Sequence, residues 1–583
     1  MRFYWPEDTL FRRVVLDVEQ VACASCGRRL YICAHRCHRI FTLRGPVELL
    51  CRLAHCSDPT CPARAHTLSP VVELALALPG WLIGWDVFCW LGHRRFARHW
   101  SVPQLQAELS ESYHITLSAD AIALYLRRYQ TMVAARQQDP KQLRKAYEAI
   151  DGLVLSIDGL QPEKGHETLY AVRELVGQRV WFAEVLLSSK ADEVRRVLIR
   201  ARQLAQWLGK PVRLWLSDKQ DAFVTGIAAE FPGVPHRYCL NHFLRGLAKP
   251  MLAADSTAKA QLRNKVRGLR AIEREVLDQR KRWRAEAETT QEDMARGRAS
   301  RAPGGAVANK GQAGHPAATR GSKNRAPATG MNRDDSEARR QAKRCSQVVL
   351  DYCATVRGIL NDDQGGPLSP PGLRMALALV EVRASLQKNL NLNKPVPAHG
   401  QLKRLAGCID RGLAEVNVQQ QQVHEQVREV RQVAATLDEA TGTRATRKAK
   451  YERLQRHYER NGGEFAMHLS KVMQSWGAGL FVAVHPKRGE KLPSDNLDLE
   501  RWFRKPKGHE RRINGHKHAG VRIVQEGATL ALVLDAHEGR TGPFTAEDLL
   551  PYRNAKIPQD ESETLLRRKI MRKARSKKNG QDC

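Results

Sequence analysis

Two stretches decide the fold: Leu153-Val154-Leu155-Ser156-Ile157-Asp158-Gly159 and Pro211-Val212-Arg213-Leu214-Trp215-Leu216-Ser217-Asp218. Each is a short apolar run with strand character, and each ends at an aspartate. Between them the pattern predicts two more strands, Glu167 to Leu175 and Arg179 to Leu187, joined by a turn at Val176-Gly177-Gln178. A helix from about Ala191 to Leu208 follows. After the second stretch comes a helix from Ala222 to Phe231, with Phe223, Ile227 and Phe231 on one stripe.

Strand, strand, strand, helix, strand, helix is the order of a ribonuclease H-like mixed sheet. In that order the first and fourth strands are parallel neighbours, so Asp158 and Asp218 are expected together at their C-terminal ends. A third acid must arrive from a helix packed on that edge. Pro493-Ser494-Asp495-Asn496-Leu497-Asp498-Leu499-Glu500-Arg501-Trp502-Phe503-Arg504 fits. Asp495 or Asn496 is the expected cap and Pro506 the expected stop. Leu499 and Phe503 form the buried face, while Glu500 and Arg504 share the adjacent one. Glu500 is therefore the expected third acid, with Asp498 and Asp495 as competitors. Three such carboxylates can hold two Mg²⁺ (or Mn²⁺) about 3.5–4 Å apart, the arrangement that cuts and joins phosphodiesters. Magnesium prefers carboxylate oxygens and keeps several waters. Either aspartate alone reads as a turn residue at a strand end; the conjunction in the right element order does not.

The chain of 583 residues carries 95 Lys plus Arg against 62 Asp plus Glu, a formal +33. A surplus of that size speaks about partners, and phosphate neutralisation makes nucleic acid the first candidate, a merely basic or ribosome-bound protein the alternative. Met1-Arg2-Phe3-Tyr4-Trp5-Pro6 lacks an apolar signal region, and the most apolar stretch, Pro70 to Leu91, is interrupted by Glu73, Pro79, Gly80, Gly84 and Asp86. The expectation is a soluble, cytoplasmic protein with no membrane segment.

Seven of the 13 cysteines lie between Cys23 and Cys61, a clustering that favours metal over disulfide in such a protein. Cys23-Ala24-Ser25-Cys26-Gly27 is a zinc knuckle half-site, and Cys56-Ser57-Asp58-Pro59-Thr60-Cys61 is a second. Cys23, Cys26, Cys56 and Cys61 are thus the expected ligands of one structural Zn²⁺ in a zinc-ribbon-like head. Cys33, Cys37, Cys51, His35, His38, His55 and His66 compete, and Cys33-Ala34-His35-Arg36-Cys37-His38 offers a second site. Cys33, Cys37 and Cys51 also read as ordinary buried thiols. Beyond the head, Ser101 caps a helix bearing Leu105 and Leu109, and Ser118 caps a second, Ala119 to Tyr129, bearing Ile122 and Leu126. Helix, turn, capped helix is helix-turn-helix grammar, with Arg127 and Arg128 available for phosphate. A plain helical hairpin is the alternative.

The expected organisation is multi-domain α/β. Residues 1–70 form the head, 71–135 the helix-turn-helix region, and 150–250 the first part of the ribonuclease H-like domain. Residues 251–464 form an all-helical insertion and 465–540 the second part of the catalytic domain. Residues 541–583 are a basic tail, densest from Arg567 to Lys578. Within the insertion, 286–340 is rich in Ala, Gly, Arg, Pro and Thr and reads as a disordered linker. Val416, Val423, Val430 and Leu437, with Val427 and Ala434 between, form a seven-residue seam suited to packing within the insertion or to a coiled-coil dimer.

The sequence resembles the DDE transposases of bacterial insertion sequences and, more distantly, the Mutator-like element transposases. The resemblance rests on Ser156-Ile157-Asp158-Gly159, on Leu216-Ser217-Asp218 through Phe231-Pro232-Gly233 to Cys239-Leu240-Asn241-His242, and on Asn496 through Arg504 with Arg511-Arg512-Ile513-Asn514-Gly515. It covers about 150–245 and 465–540 well and the head loosely. It implies that Asp158, Asp218 and Glu500 bind the catalytic metals, that Cys239 and His242 lie near them, and that a helical insertion separates the second Asp from the Glu. It further implies end cleavage and strand transfer on terminal inverted repeats and target DNA, a homo-oligomeric synaptic complex, and a place at the bacterial nucleoid. Arg501, Arg504, Lys505, Lys507, Arg511 and Arg512 are the expected phosphate grip beside Glu500. The alternatives are a related DNA nuclease that only cuts and a transposase-derived DNA-binding regulator without catalysis.

Overall fold

The computed structural model describes residues 5, 7–161, 167–186, 188–299, 333–391, 398–460, 462–484, 492–515 and 522–556. The chain divides into two compact units, Met1–Phe243 with Trp476–Cys583, and Leu244–Ser475. Among the described residues no helix is long and apolar enough to cross a membrane.

The first unit begins with three strands, β1 (Arg12–Leu16), β2 (Leu30–Thr42) and β3 (Gly45–Cys56), in the order β1-β3-β2. β2 and β3 form an antiparallel hairpin, and β1 runs parallel to β3. Glycine at 45 is required by the turn, where φ is +108°. Leu16, Ile40, Val47, Leu49, Cys51 and Ala77 make the buried face. Glu73, 2% exposed, ties this sheet to the next layer by pairing with Arg36 and with His38 Nδ1 at 2.9 Å.

That layer is helical: Val72–Leu76, Trp85–Phe96, Val102–Tyr113 and Ala119–Gln137. Ser101 and Gln104 form a reciprocal capping box, and Ser118 Oγ accepts the Ala121 N–H. Both expected helix starts stand. The second helix runs eight residues beyond Tyr129 because its stripe continues through Tyr129, Met132 and Val133. Leu530, Val533 and Leu534 of the helix Arg522–Ala536, with Phe544 and Leu549, share one core with that stripe. Tyr129 Oη and His537 Nε2 are 3.0 Å apart, and Gln130 donates to Thr529 at 2.7 Å. Residues 71–135 are therefore not a free-standing module, and the expected boundary at 541 is corrected: 541–556 pack into this core, while Arg567–Lys578 lie outside the described residues.

Five strands form the second sheet: β4 (Leu153–Leu160), β5 (Thr168–Glu174), β6 (Arg179–Leu186), β7 (Val212–Ser217) and β8 (His236–Tyr238), in the order β6-β5-β4-β7-β8. β4 is antiparallel to β5 and parallel to β7, and β8 is parallel to β7. The first and fourth strands of the expected set are thus parallel neighbours. Alternation along each strand sends side chains to opposite faces. Leu153, Leu155 and Ile157 of β4, with Tyr170 and Val172 of β5, pack under the helices Ala191–Leu208 and Asp221–Glu230. Leu160, Leu169 and Ala171 face the other way, against Leu499, Trp502, Phe503 and the Arg522–Ala536 helix.

Arg173 shares that second face and is 1% exposed. Its guanidinium donates to Asp498 at 2.6 Å and Asp535 at 2.9 Å, with Glu538 at 3.6 Å. Burial pushes the Asp535 carboxyl up to about 6 against the pull of Arg173.

The second unit holds the helices Lys249–Lys265, Leu269–Ala299, Arg333–Asn361, Pro371–Leu390 and His399–Leu437 around one core, with the helix Arg444–Arg460 set against the last of them. The seam residues Val416, Val423, Val427 and Val430 are buried within the His399–Leu437 helix, with Val433 in place of Ala434. Tyr458 of the Arg444–Arg460 helix donates to the Glu429 carbonyl at 3.4 Å, so the seam is covered within this unit. The expected linker narrows: 286–299 and 333–340 belong to helices, and 300–332 lie outside the described residues.

Replacing Arg173 with Ala strands the buried Asp535 carboxylate without its cation and is expected to cost about 3–5 kcal/mol, read as a lower urea midpoint. His537, held near 3 by burial and by the charges of His93 and Arg540, is neutral in the folded chain. Its contribution is present above the ordinary histidine pKa and is lost as pH falls below about 6.5. The His537→Gln chain is therefore expected to gain stability relative to wild type between pH 7 and pH 5, measured by thermal melts at both pH values.

Candidate functional site

The four-cysteine cluster is built by two turns. Gly27, at φ +74°, lets the chain fold back so that its N–H reaches the Cys23 carbonyl at 2.9 Å. At the far end of β3, the Asp58 N–H donates to Cys56 Sγ at 3.4 Å. Cys23 and Cys61 Sγ are 3.9 Å apart, Cys26 and Cys56 Sγ 3.4 Å, and all four lie within 4.8 Å of one another. Thiolates about 2.3 Å from a tetrahedral zinc stand roughly 3.8 Å apart, so this cluster can hold a structural zinc. The backbone N–H groups of Ser25 and Cys26 draw the Cys23 thiol down to about 7, whereas burial pushes Cys56 up to about 12.

The expected second site is not formed. Cys33 and Cys37 are exposed on β2, where four residues of extended chain span about 13 Å, too far for one ion. Cys51 is buried, with its thiol pushed up by that burial. His38 is used by Glu73 and by the Trp81 carbonyl at 2.7 Å, and His55 by the Tyr31 hydroxyl.

Asp158 is not at the end of its strand: pairing continues through Asp158 opposite Ala171 to Leu160. It shares a face with Ser156 and Leu160, the face on which the Leu497–Trp502 helix packs. Asp218 follows β7 directly, and the β4–β7 register, Ser156 opposite Leu216, sets the two aspartates level. Residues 493–496 carry Glu500 to them. The Ser156 hydroxyl donates to Asn496 Oδ1, the Asn496 N–H to Cys239 Sγ at 3.2 Å, and Arg237 to the Pro493 carbonyl at 3.0 Å. Asp495 Oδ1 caps Leu497 N–H at 3.0 Å. The helix breaks at Phe503, and Pro506 sits in the first turn of the next helix, Arg504–Asn514, instead of ending the first.

Burial, against the Gly159 N–H and helped by the charges of Asp218 and Glu500, pushes the Asp158 carboxyl up to about 7, with Lys507 opposing the rise. Burial also raises Asp218, against the charge of His242. The three acids thus share one field. Their oxygens do not all converge within 4.8 Å. Glu500 accepts from Asn241 Nδ2 at 3.1 and 3.2 Å and lies 3.5 Å from His242 Nδ1. Cys239, His242 and Glu500 do converge within 4.8 Å. Burial pushes the Cys239 thiol up to about 11. The competing acids are otherwise engaged, Asp498 by Arg173 and Asp495 by its cap.

Of the expected phosphate contacts, Arg127, Arg501, Arg504, Arg511 and Arg512 are exposed and Lys507 partly so. Lys505 pairs with Glu538. Arg128 is tied to the carbonyls of Arg553 and Ala555, so it anchors the chain there and is not open to phosphate. Sequence reasoning missed Arg173, Asn241 and Asn496. A lone arginine in the apolar strand Leu169-Tyr170-Ala171-Val172-Arg173 was the available signal for the first.

No family model matches the chain, and no curated protein matches it.

Cys56→Ser is expected to lower zinc by one ion per chain in elemental analysis and to make the head protease-sensitive, with the Asp221–Glu230 side of the second sheet unaffected in hydrogen exchange.

Proposed function

We propose that this protein is a DDE transposase, with a zinc-ribbon-like head, a helix-turn-helix layer and a ribonuclease H-like catalytic sheet interrupted by the helical unit. One observation carries the reading: Asp158 on β4 and Asp218 just past its parallel neighbour β7 stand level, and Asp158 feels both Asp218 and Glu500, which arrives from nearly 300 residues after Asp218. The sheet order β6-β5-β4-β7-β8, antiparallel then parallel, supports the ribonuclease H-like assignment.

Asp158, Asp218 and Glu500 would hold a pair of Mg²⁺ or Mn²⁺ ions, all three offering the oxygen donors those ions prefer. Such a pair activates an attacking water or 3′-hydroxyl and stabilises the leaving oxygen. The chain's own residues supply the rest. Asn241 orients the Glu500 carboxylate, as neighbours of metal-ligating groups commonly do. Lys507 favours the ionised form of Asp158. Arg501, Arg504, Arg511 and Arg512 present exposed cations along the same two short helices, suited to a DNA backbone, and Arg127 presents another on the capped helix. The substrates are element ends and target DNA. Joining two ends requires at least two copies of the chain.

The test is nicking of DNA carrying the sequences that flank this gene, with Mg²⁺ or Mn²⁺. Asp158→Ala, Asp218→Ala and Glu500→Ala are each expected to reduce site-specific nicking at least about a thousandfold. End binding by the wild type without any cleavage would overturn the enzyme and leave a DNA-binding regulator. Cleavage without strand transfer would leave a nuclease.

A further inference from the structure

We propose that Cys239, His242 and Glu500 form a second metal seat, selective for a soft divalent ion such as zinc, which takes Glu500 away from the magnesium pair and so switches the enzyme off. The seat stands on its own geometry; its effect on catalysis rests on the transposase reading.

The donor atoms of the three residues lie within 4.8 Å of one another, and His242 Nδ1 is 3.5 Å from Glu500 Oε1. A thiol, an imidazole and a carboxylate are a zinc donor set, whereas magnesium avoids sulfur. Three protein ligands leave a fourth position for water, the pattern of an exchangeable site more than of a closed structural one. The placement is built into the backbone. Cys239 leaves β8 with its N–H on the Ser217 carbonyl at 2.8 Å, and its own carbonyl accepts the Phe243 N–H at 3.0 Å. Cys239 and His242 are therefore one helical turn apart at the start of Leu240–Leu247. The Asn496 N–H donates to Cys239 Sγ, and Asn241 donates to Glu500, so two of the three ligands have a partner that fixes them. His242 Nδ1 is buried and makes no hydrogen bond. The oxygen-only set of Asp158 and Asp218 lies beyond, so one carboxylate is shared between a hard site and a soft one.

The experiment uses the full-length protein with its four-cysteine cluster zinc-filled. Cobalt(II) and zinc are the probes. Zinc titration is expected to bring the chain from one to two ions, and cobalt to give a near-ultraviolet thiolate-to-metal band. Cys239→Ser and His242→Asn are each expected to return the count to one and remove the band, while Cys61→Ser removes the other ion. In the magnesium reaction, micromolar zinc is expected to slow wild-type nicking about tenfold and to slow the Cys239→Ser chain far less, relative to its own zinc-free rate. One zinc per wild-type chain, or a cobalt band that survives Cys239→Ser, overturns the seat. Two ions with no nicking under any condition would keep the seat and remove the transposase; magnesium-dependent nicking with a single zinc would do the reverse.

Discussion

The first unit depends on a buried cation. Arg173 sits in the middle strand of an antiparallel trio and has almost no exposed surface. A guanidinium keeps its charge, so burying it there without acids to meet it would be costly, and its flat fork of donors reaches several at once. Asp498 comes from the helix that carries Glu500, and Asp535 from the end of the helix that covers the N-terminal helical layer. Asp535 also accepts the Val180 N–H at 3.0 Å, which binds the neighbouring strand into the same knot. Because Asp498 lies only two residues before Glu500, the contact that closes the sheet's second face also fixes where the third acid points. Packing and chemistry are coupled through one side chain.

Much of this was legible. Period-two alternation located β4 to β7 of the second sheet to within a residue or two, since apolar runs bounded by glycine, proline and acids leave few other options, whereas the three-residue β8 is too short to show it. Thiol spacing located the four-cysteine cluster for the same local reason: two short turns decide it. The misreadings were also local. Pro506 reads locally as a stop, yet proline fits the first turn of a new helix, and the break falls at Phe503. Asp158 reads locally as a strand end, but its pairing partner on β5 carries the strand past it. Cys33 and Cys37 suggested a site only until the segment was known to be extended.

What the sequence could not express was distance along the chain. Arg173 finds its acids more than 300 residues away, Ser156 meets Asn496, and Tyr129 meets His537. No periodicity encodes such pairs. They exist because the helical unit leaves after Phe243 and the chain rejoins the first unit at Trp476. The level placement of Asp158 and Asp218 was inferable from element order alone, whereas the sharing of Glu500 between oxygen and sulfur-nitrogen neighbours emerged only from three-dimensional placement.

The late return of the chain has a consequence during its synthesis. A ribosome adds about 5–20 residues per second, so roughly 15–60 s separate the emergence of Asp218 from that of Glu500. Throughout that interval Tyr129, Met132 and Val133 lack the cover that Leu530, Val533 and Phe544 later provide. The nascent polypeptide thus passes through a prolonged stage with an exposed apolar helix and without Glu500. It is a natural client for chaperones at that stage, and a chain cut short before residue 500 would be prone to aggregate.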